Sequence, residues 1–279
     1  MESHRPAVFI TGASAGIGAA CVETFASAGW DVAATARRRD RLEALASALQ
    51  PKAPGCRILP ITCDVNTDTS VAQAFEELRQ HFGRLDALVN NAGYGVYGTV
   101  SDTPLERFRE NMETNFFGAL RCVQAGLPLL RATAHASKRR WGASIVMVSS
   151  FVGRRGIPGL SAYCASKFAL EGLSEALRVE LLAERIAVSV INPGVTATDF
   201  FSVAQGRRPD SFPSPHKGMA PAAVARRILT ATRRPQRNVY LTLAGKAGIA
   251  AQWISPALMD YALHRTWKSR QAGPGEDGK

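Results

Sequence analysis

Short apolar runs alternate with helical stretches along almost the whole chain, and that alternation limits the fold more than any other feature. Residues 7–11, 31–36, 57–62, 85–90, 144–149, 187–191 and 238–241 are apolar or β-branched enough to read as strands buried on both faces. Between them apolar residues recur at helical spacing, as in Leu42, Leu45 and Leu49, or Val71, Phe75 and Leu78. Later helices are predicted over 106–130, 161–184 and 221–233. The pattern predicts an α/β fold: a doubly wound, mostly parallel seven-stranded sheet with helices on both faces.

No linker or internal repeat divides the 279 residues, so a single domain over 1–279 is expected. Residues 7–200 read as its core. Residues 201–279 read as a substrate lid followed by a basic C-terminal extension. The lid is placed at 203–217, a stretch with three prolines and a length that suggests function. At 46% hydrophobic and 20% charged, the chain has enough apolar material for a core, which excludes a disordered or disulfide-stapled protein.

Apolar runs such as 143–148 are far shorter than the ~20 residues that span a bilayer. The first residues lack the apolar stretch of a secretory signal. Five cysteines, scattered and without a Cys-x-x-Cys pair, predict a reduced, cytoplasmic protein with no zinc site or other metal. The net charge of +11 is uneven: residues 1–202 hold 21 basic and 19 acidic residues, and residues 203–279 hold 13 and 4. The charges are spread over loops and helix faces rather than gathered with aromatics in one stripe. That argues against nucleic acid as a partner.

The first predicted strand runs into Thr11-Gly12-Ala13-Ser14-Ala15-Gly16-Ile17-Gly18 and then into a helix. A glycine-rich turn at that junction lets backbone approach a pyrophosphate, while the helix N-terminus supplies amide donors and positive dipole. The bland reading is a tight turn that needs glycine. Further on stand Asn90-Asn91-Ala92-Gly93, Asn115, Ser150, Tyr163-x-x-x-Lys167 and Pro193-Gly194 with Thr198. With five Tyr in the chain and few Lys, Tyr-x-x-x-Lys is expected by chance only about 0.13 times.

In these motifs, their order and their spacing, the chain resembles the short-chain dehydrogenase/reductase family, in its compact NAD(P)-dependent form with a Rossmann-type fold. The resemblance implies an oxidoreductase that moves a hydride between a nicotinamide and a carbonyl or secondary alcohol. It makes Tyr163 the acid/base and Lys167 the ribose binder and pKa modulator. Asn115 would hold a water in a proton relay. Ser150, rather than Ser149, has the family's spacing to the tyrosine. Asp64-Val65 matches the adenine-contacting pair. Gly12, Ser14, Gly16, Ile17, Gly18, Asn91, Ala92, Gly93, Pro193, Gly194 and Thr198 fall at cofactor-binding places.

The chemistry of that set is intelligible from the residues. Positions four apart share a helix face, so the Lys167 ammonium is expected beside the Tyr163 phenol, drawing its pKa of about 10 toward neutrality. Ser150 can donate to an oxygen on which negative charge builds. Cofactor choice is read after the second strand. An acid there suits the ribose of NAD, but Ala36 is followed by Arg37, Arg38 and Arg39. Arg37 and Arg38 suit a 2′-phosphate, so NADP(H) is preferred to NAD(H). Ala15, where many NADP-preferring relatives carry a basic residue, departs from that pattern.

Tyr94, Val96, Phe151, Ile157, Phe200 and the 203–217 loop are expected to line a pocket for a small hydrophobic carbonyl or alcohol. A homodimer or homotetramer is implied by the resemblance. Two alternatives stay open: a non-catalytic NADP(H)-sensing regulatory protein on the same fold, and a sugar-nucleotide epimerase or dehydratase. The first has no need of an acid–base pair. The second is disfavoured by the Asn-Asn-Ala-Gly motif and the short substrate region. Residues 239–264 also mix Leu, Ile and Trp with flanking Arg237, Lys246, Arg265, Lys268 and Arg270, a composition compatible with peripheral membrane contact. The competing reading is that these apolar residues cap the core or form a subunit contact. Pro256 should split the stretch into two helices.

Overall fold

The computed structural model describes residues 5–198, 200, 204–206 and 218–271. Its strands are β1 Ala7–Thr11, β2 Asp31–Ala36, β3 Ile58–Thr62, β4 Ala87–Asn90, β5 Ala143–Val148, β6 Ile186–Asn192 and β7 Asn238–Tyr240. They form one sheet in the order β3-β2-β1-β4-β5-β6-β7. Every pairing is parallel, with Ile10 of β1 between Ala34 of β2 and Val89 of β4. All seven expected strands are present, with ends moved by one or two residues. Pro60 sits in β3, where the edge position leaves its missing N–H without cost to a central ladder.

The helices are α1 Gly16–Ser27, α2 Arg39–Leu49, α3 Asp68–Phe82, α4 Leu105–Met112, α5 Gly118–Ala136, α6 Ser161–Glu180, α7 Pro221–Arg233, α8 Leu243–Ile254 and α9 Pro256–Gln271. A parallel sheet must be covered on both faces, and two apolar layers do so. On one face Val22 and Phe25 of α1, Leu42 of α2 and Val224 and Ile228 of α7 pack on Val8 and Ile10. On the other, Phe75 and Leu78 of α3, Val123 of α5 and Leu170 of α6 pack on Phe9 and Ile145. Phe9 and Phe75 stack with centroids 4.2 Å apart. Cys21 and Cys56 lie in the first layer, Cys63 and Cys122 in the second, and Cys164 beside Tyr163; all five are buried and free.

The helix expected over 106–130 is divided. Between α4 and α5 runs a π-helical turn, Glu113–Phe117, and it carries Asn115. The extra residue in such a turn re-aims the side chains beside it. The helix expected over 161–184 ends as α6 at Glu180, and Pro256 separates α8 from α9 as anticipated. Of the 203–217 loop, residues 204–206 are described; the rest of the expected lid lies outside the described residues. Among the described residues, no helix is long and apolar enough to cross a membrane.

Candidate active site

The strand order reverses between β1 and β4. A crevice forms at such a point, beyond the carboxyl ends of the strands. β1 ends in Gly12 (φ 66°) and α1 begins at Gly16 (φ 55°), both in the left-handed region that glycine tolerates. The N-cap of α1 is Ala15, which makes no side-chain cap, and the first turn holds no acid. Its amides and dipole therefore face the crevice without a competing carboxylate, as an anion site requires.

Asn91 braces this turn. Its Nδ2 donates to the carbonyls of Thr11 (2.9 Å) and Gly12 (3.3 Å). Thr11 Oγ1 accepts from the N–H groups of Asn91 and Ala92, each at 2.9 Å. Gly18 stands behind the turn rather than on the cleft wall: a Cβ there would lie 2.1 Å from the Gly12 carbonyl oxygen. Its part is the close seating of α1.

The cleft has a volume of about 1170 Å³. Gly12, Ser14, Gly16 and Ile17 of the glycine turn line it, as do Arg37 and Arg38 after β2, Asp64 and Val65 after β3, and Asn91, Ala92 and Gly93 after β4. Ser150, Tyr163 and Lys167 line it too, together with Pro193, Gly194 and Thr198 after β6. Arg38 Nη2 donates to Ser14 Oγ at 3.0 Å, which ties the end of β2 to the glycine turn. An elongated, anionic molecule such as a dinucleotide fits this set: bare backbone, an uncapped helix start and two guanidiniums.

Tyr94, Phe151, Ile157 and Phe200 line the cleft as expected. Val96 does not: it is buried, and its backbone bridges to Gln205. Gln205 is a residue the pocket expectation named only as part of a loop. It bonds to the backbone of Gly95 and Tyr97 and accepts from Arg107 at 2.8 Å. Thr242, Gly245, Leu263 and Thr266, far along the chain, complete the wall.

Tyr163 and Lys167 rise from the first turns of α6, and Ser150 follows β5. Tyr163 is almost fully buried, its ring centroid 5.5 Å from that of Phe200 and 5.8 Å from Lys167 Nζ. Ser150 lines the same cleft beside the phenol. Burial is the largest influence on that phenol and pushes its pKa up; Ser150 beside it opposes the shift. The expected lowering of the phenol pKa by Lys167 is therefore not met in this geometry. The Lys167 ammonium donates to the Val148 carbonyl at 2.8 Å, and burial brings its pKa down to about 8, with Glu171 resisting.

Asn115 lies beneath the cleft rather than on its wall. Its Oδ1 accepts from the Tyr94 N–H (3.0 Å), and its Nδ2 donates to the Tyr94 carbonyl (3.0 Å) and Ser166 Oγ (2.9 Å). A Cβ on Gly93 would stand 2.7 Å from Asn115 Oδ1 and 3.8 Å from Lys167 Nζ, so the three groups are neighbours.

Next to Lys167 is a charge cluster around the buried Glu171 that the sequence motifs do not contain. Glu171 pairs with Arg154 at 2.9 Å, and Arg154 also reaches Glu175 at 2.7 Å. With its amide turned to satisfy both partners, Asn192 donates to Glu171 and to the Ser150 carbonyl, each at 2.8 Å. Burial pushes the Glu171 carboxyl up, and Arg154 pulls it back. A signal was available in the spacing: Tyr163, Lys167, Glu171 and Glu175 follow at successive intervals of four on α6.

Known proteins share this architecture. The family described as short chain dehydrogenase matches residues 6–208. The oxidoreductase YxnA of Bacillus subtilis is 32% identical across 97% of this chain and 76% of its own length. A short-chain dehydrogenase from Sphingobium yanoikuyae, solved in complex with NADPH, superposes with a TM-score of 0.74 at 26% identity, covering 98% of each chain. A short-chain dehydrogenase/reductase from Burkholderia phymatum, solved with NAD, shares the fold with a TM-score of 0.80 at 22% identity, over 92% of this chain and 96% of its own. With the family match running from before β1 to beyond Phe200, this chain belongs to the short-chain dehydrogenase family of oxidoreductases.

Proposed function

We propose that the protein is an NADP(H)-dependent oxidoreductase that interconverts a carbonyl and a secondary alcohol on a hydrophobic substrate. The observation that carries this reading is the convergence of Ser150, Tyr163 and Lys167 on the cleft that also holds the glycine turn and two arginines. A bound nicotinamide would supply or accept the hydride. In the direction of reduction, the Tyr163 phenol, kept protonated by burial, donates its proton to the carbonyl oxygen. Ser150 Oγ donates a hydrogen bond to the same oxygen as charge grows on it. Lys167 holds positive charge beside the phenol and would hold the ribose of a bound cofactor. Asn115 fixes the Tyr94 backbone and Ser166, and so the floor under Lys167.

Arg37 and Arg38 support NADP(H) over NAD(H), since β2 ends in Ala36 without a carboxylate. Replacing both arginines with Ala is expected to weaken NADPH about tenfold to 10²-fold, the scale of lost hydrogen bonds to a charged group. NADH affinity should stay within about twofold. Fluorescence titration of both cofactors measures this, together with NADPH oxidation on a panel of ketones and aldehydes. Equal losses for the two cofactors, or an initial preference for NADH, contradict the NADP(H) reading.

Glu171 tests the role of Lys167. A lysine whose pKa lies at about 8 keeps its ammonium below that pH and loses it as pH rises through it. Glu171→Gln removes the carboxylate that favours the ammonium, so the lysine pKa falls further. The alkaline limb of kcat/KM should shift to lower pH in the variant, while the acidic side stays where it is. An unmoved alkaline limb would separate Lys167 from the pH dependence.

A further inference from the structure

The end of the described chain carries a surface that the oxidoreductase reading does not use. Leu243, Trp253 and Ile254 of α8 and Leu258 and Tyr261 of α9 are 60–84% exposed. Trp253, Ile254, Leu258 and Tyr261 flank the Ser255–Pro256 break, so that four large apolar side chains gather at the elbow between two helices. Scattered apolar residues are ordinary on a surface; a gathering of this kind marks an interface.

Helical spacing shows how the charges are arranged. Leu258, Tyr261, Arg265 and Lys268 fall on one face of α9, and Arg265 and Lys268 are exposed, as is Lys246 of α8. On the other face Asp260 is paired with Arg155, and the Trp267 ring lies against Gly159, 3.1 Å from where a Cβ there would stand. Among the described side chains of α8 and α9, Asp260 is the one acid, and it is already neutralised. The outer side is thus apolar at the elbow and cationic toward the end of α9.

The inner side belongs to the cleft. Thr242 and Gly245 at the start of α8, with Leu263 and Thr266 of α9, line it. Leu263 and Ile157 are also shared with a second cavity of about 480 Å³ under α9, bounded further by Pro158, Cys164 and Trp267. The helix pair is therefore a thin partition between the reaction cleft and the exposed elbow.

We propose that the α8–α9 elbow docks the protein on an anionic lipid surface, with Trp253, Ile254, Leu258 and Tyr261 entering the interface and Lys246, Arg265 and Lys268 meeting the headgroups. Apolar side chains at an elbow beside uncompensated cations complement such a surface on both counts. A second copy of the chain is the less suitable occupant. A two-fold contact sets the same patch against itself, so lysines and arginines would face one another with no free acid among the described side chains of α8 and α9. Docked this way, the protein holds the wall of its cleft against the lipid, the side from which a lipophilic substrate would arrive. That last consequence rests on the oxidoreductase reading; the docking itself does not.

Co-sedimentation of the full chain with phosphatidylglycerol vesicles and with phosphatidylcholine vesicles, at low and high salt, tests the proposal. The protein should pellet with the anionic vesicles at low salt, stay in solution with the neutral ones, and be released as salt screens the cations. Trp253→Ser with Leu258→Ser should lower binding at least about tenfold, given the apolar area withdrawn. Arg265→Glu with Lys268→Glu should lower it by a similar factor. All four positions are exposed, and circular dichroism checks that the fold is kept. NADPH oxidation with a small water-soluble ketone should be unchanged in these variants. Loss of that activity in the wild type would strike the oxidoreductase reading and leave vesicle binding as it stands.

Three outcomes overturn the docking. One is protein left in the supernatant with anionic vesicles at low salt. Another is binding that the Trp253→Ser, Leu258→Ser variant does not change, which is plain electrostatic adsorption. The third is a dimer in sedimentation equilibrium that the same variant dissociates, which gives the elbow to a second copy.

Discussion

Tyr163→Phe is expected to keep the fold and the cofactor affinity while lowering kcat by about 10²-fold or more, the scale of a lost general acid. The phenylalanine ring fills the same space against Phe200, so packing barely changes. What disappears is one hydroxyl, on a side chain that lines the cleft beside Ser150. Burial favours the protonated phenol, so on the proposed reading its loss would remove the proton donor. Steady-state kinetics with NADPH and a responsive ketone read the loss of turnover, and fluorescence titration reads the retained cofactor binding. A variant with near wild-type kcat would assign the proton to another group.

The second large effect is expected at Gly18. Alanine is the better helix former by about 1 kcal/mol, so the swap to Ala should stabilise an ordinary helix. Here its Cβ would stand 2.1 Å from the Gly12 carbonyl oxygen and 2.8 Å from Asn91 Nδ2. The nearer atom is backbone and cannot swing away. Overpacking of this kind costs about 1–3 kcal/mol, enough to outweigh the propensity. Gly18→Ala should therefore lower Tm by about 5 °C, from the usual 2–4 °C per kcal/mol in domains approaching this size. It should also weaken NADPH at least about tenfold, because the turn and the start of α1 must part to make room. Calorimetry and cofactor titration check the pair; a raised Tm with intact affinity would show that the turn is looser than its geometry.

Much of this architecture is legible in the residues because a parallel sheet writes itself plainly. Strands covered on both faces need apolar side chains at every position, and runs such as Val8-Phe9-Ile10 have no polar alternation to confuse them with surface strands. The glycine turn and the Tyr163–Lys167 pair are legible for a different reason: each joins residue type to a spacing that chemistry demands. The π-helical turn at Glu113–Phe117 has no such signal. Met112, Glu113 and Thr114 are ordinary helix residues, and the extra residue is settled by bonds from Asn115 to Tyr94 and Ser166, which tertiary structure brings together. Arg154 and Asn192 escape for the same reason, since they meet Glu171 from different strands and loops. Thr242, Gly245, Leu263 and Thr266 reach the cleft only because α8 and α9 fold back over it. No local pattern records that return.

The distribution of sulfur has a consequence for experiments on this chain. Alkylating reagents attack thiolates, and burial pushes the thiols of Cys21, Cys63, Cys122 and Cys164 up, Cys63 to about 11. In the closed protein at neutral pH these sulfurs are both inaccessible and protonated, so labelling has to wait for a local opening. Cys21 and Cys56 belong to one helical layer, Cys63 and Cys122 to the other, and Cys164 to a small cluster with Val152 and Tyr163. Maleimide labelling followed by peptide mapping would thus time the loosening of each layer separately, making the native cysteines a set of clocks distributed across the two sides of the sheet.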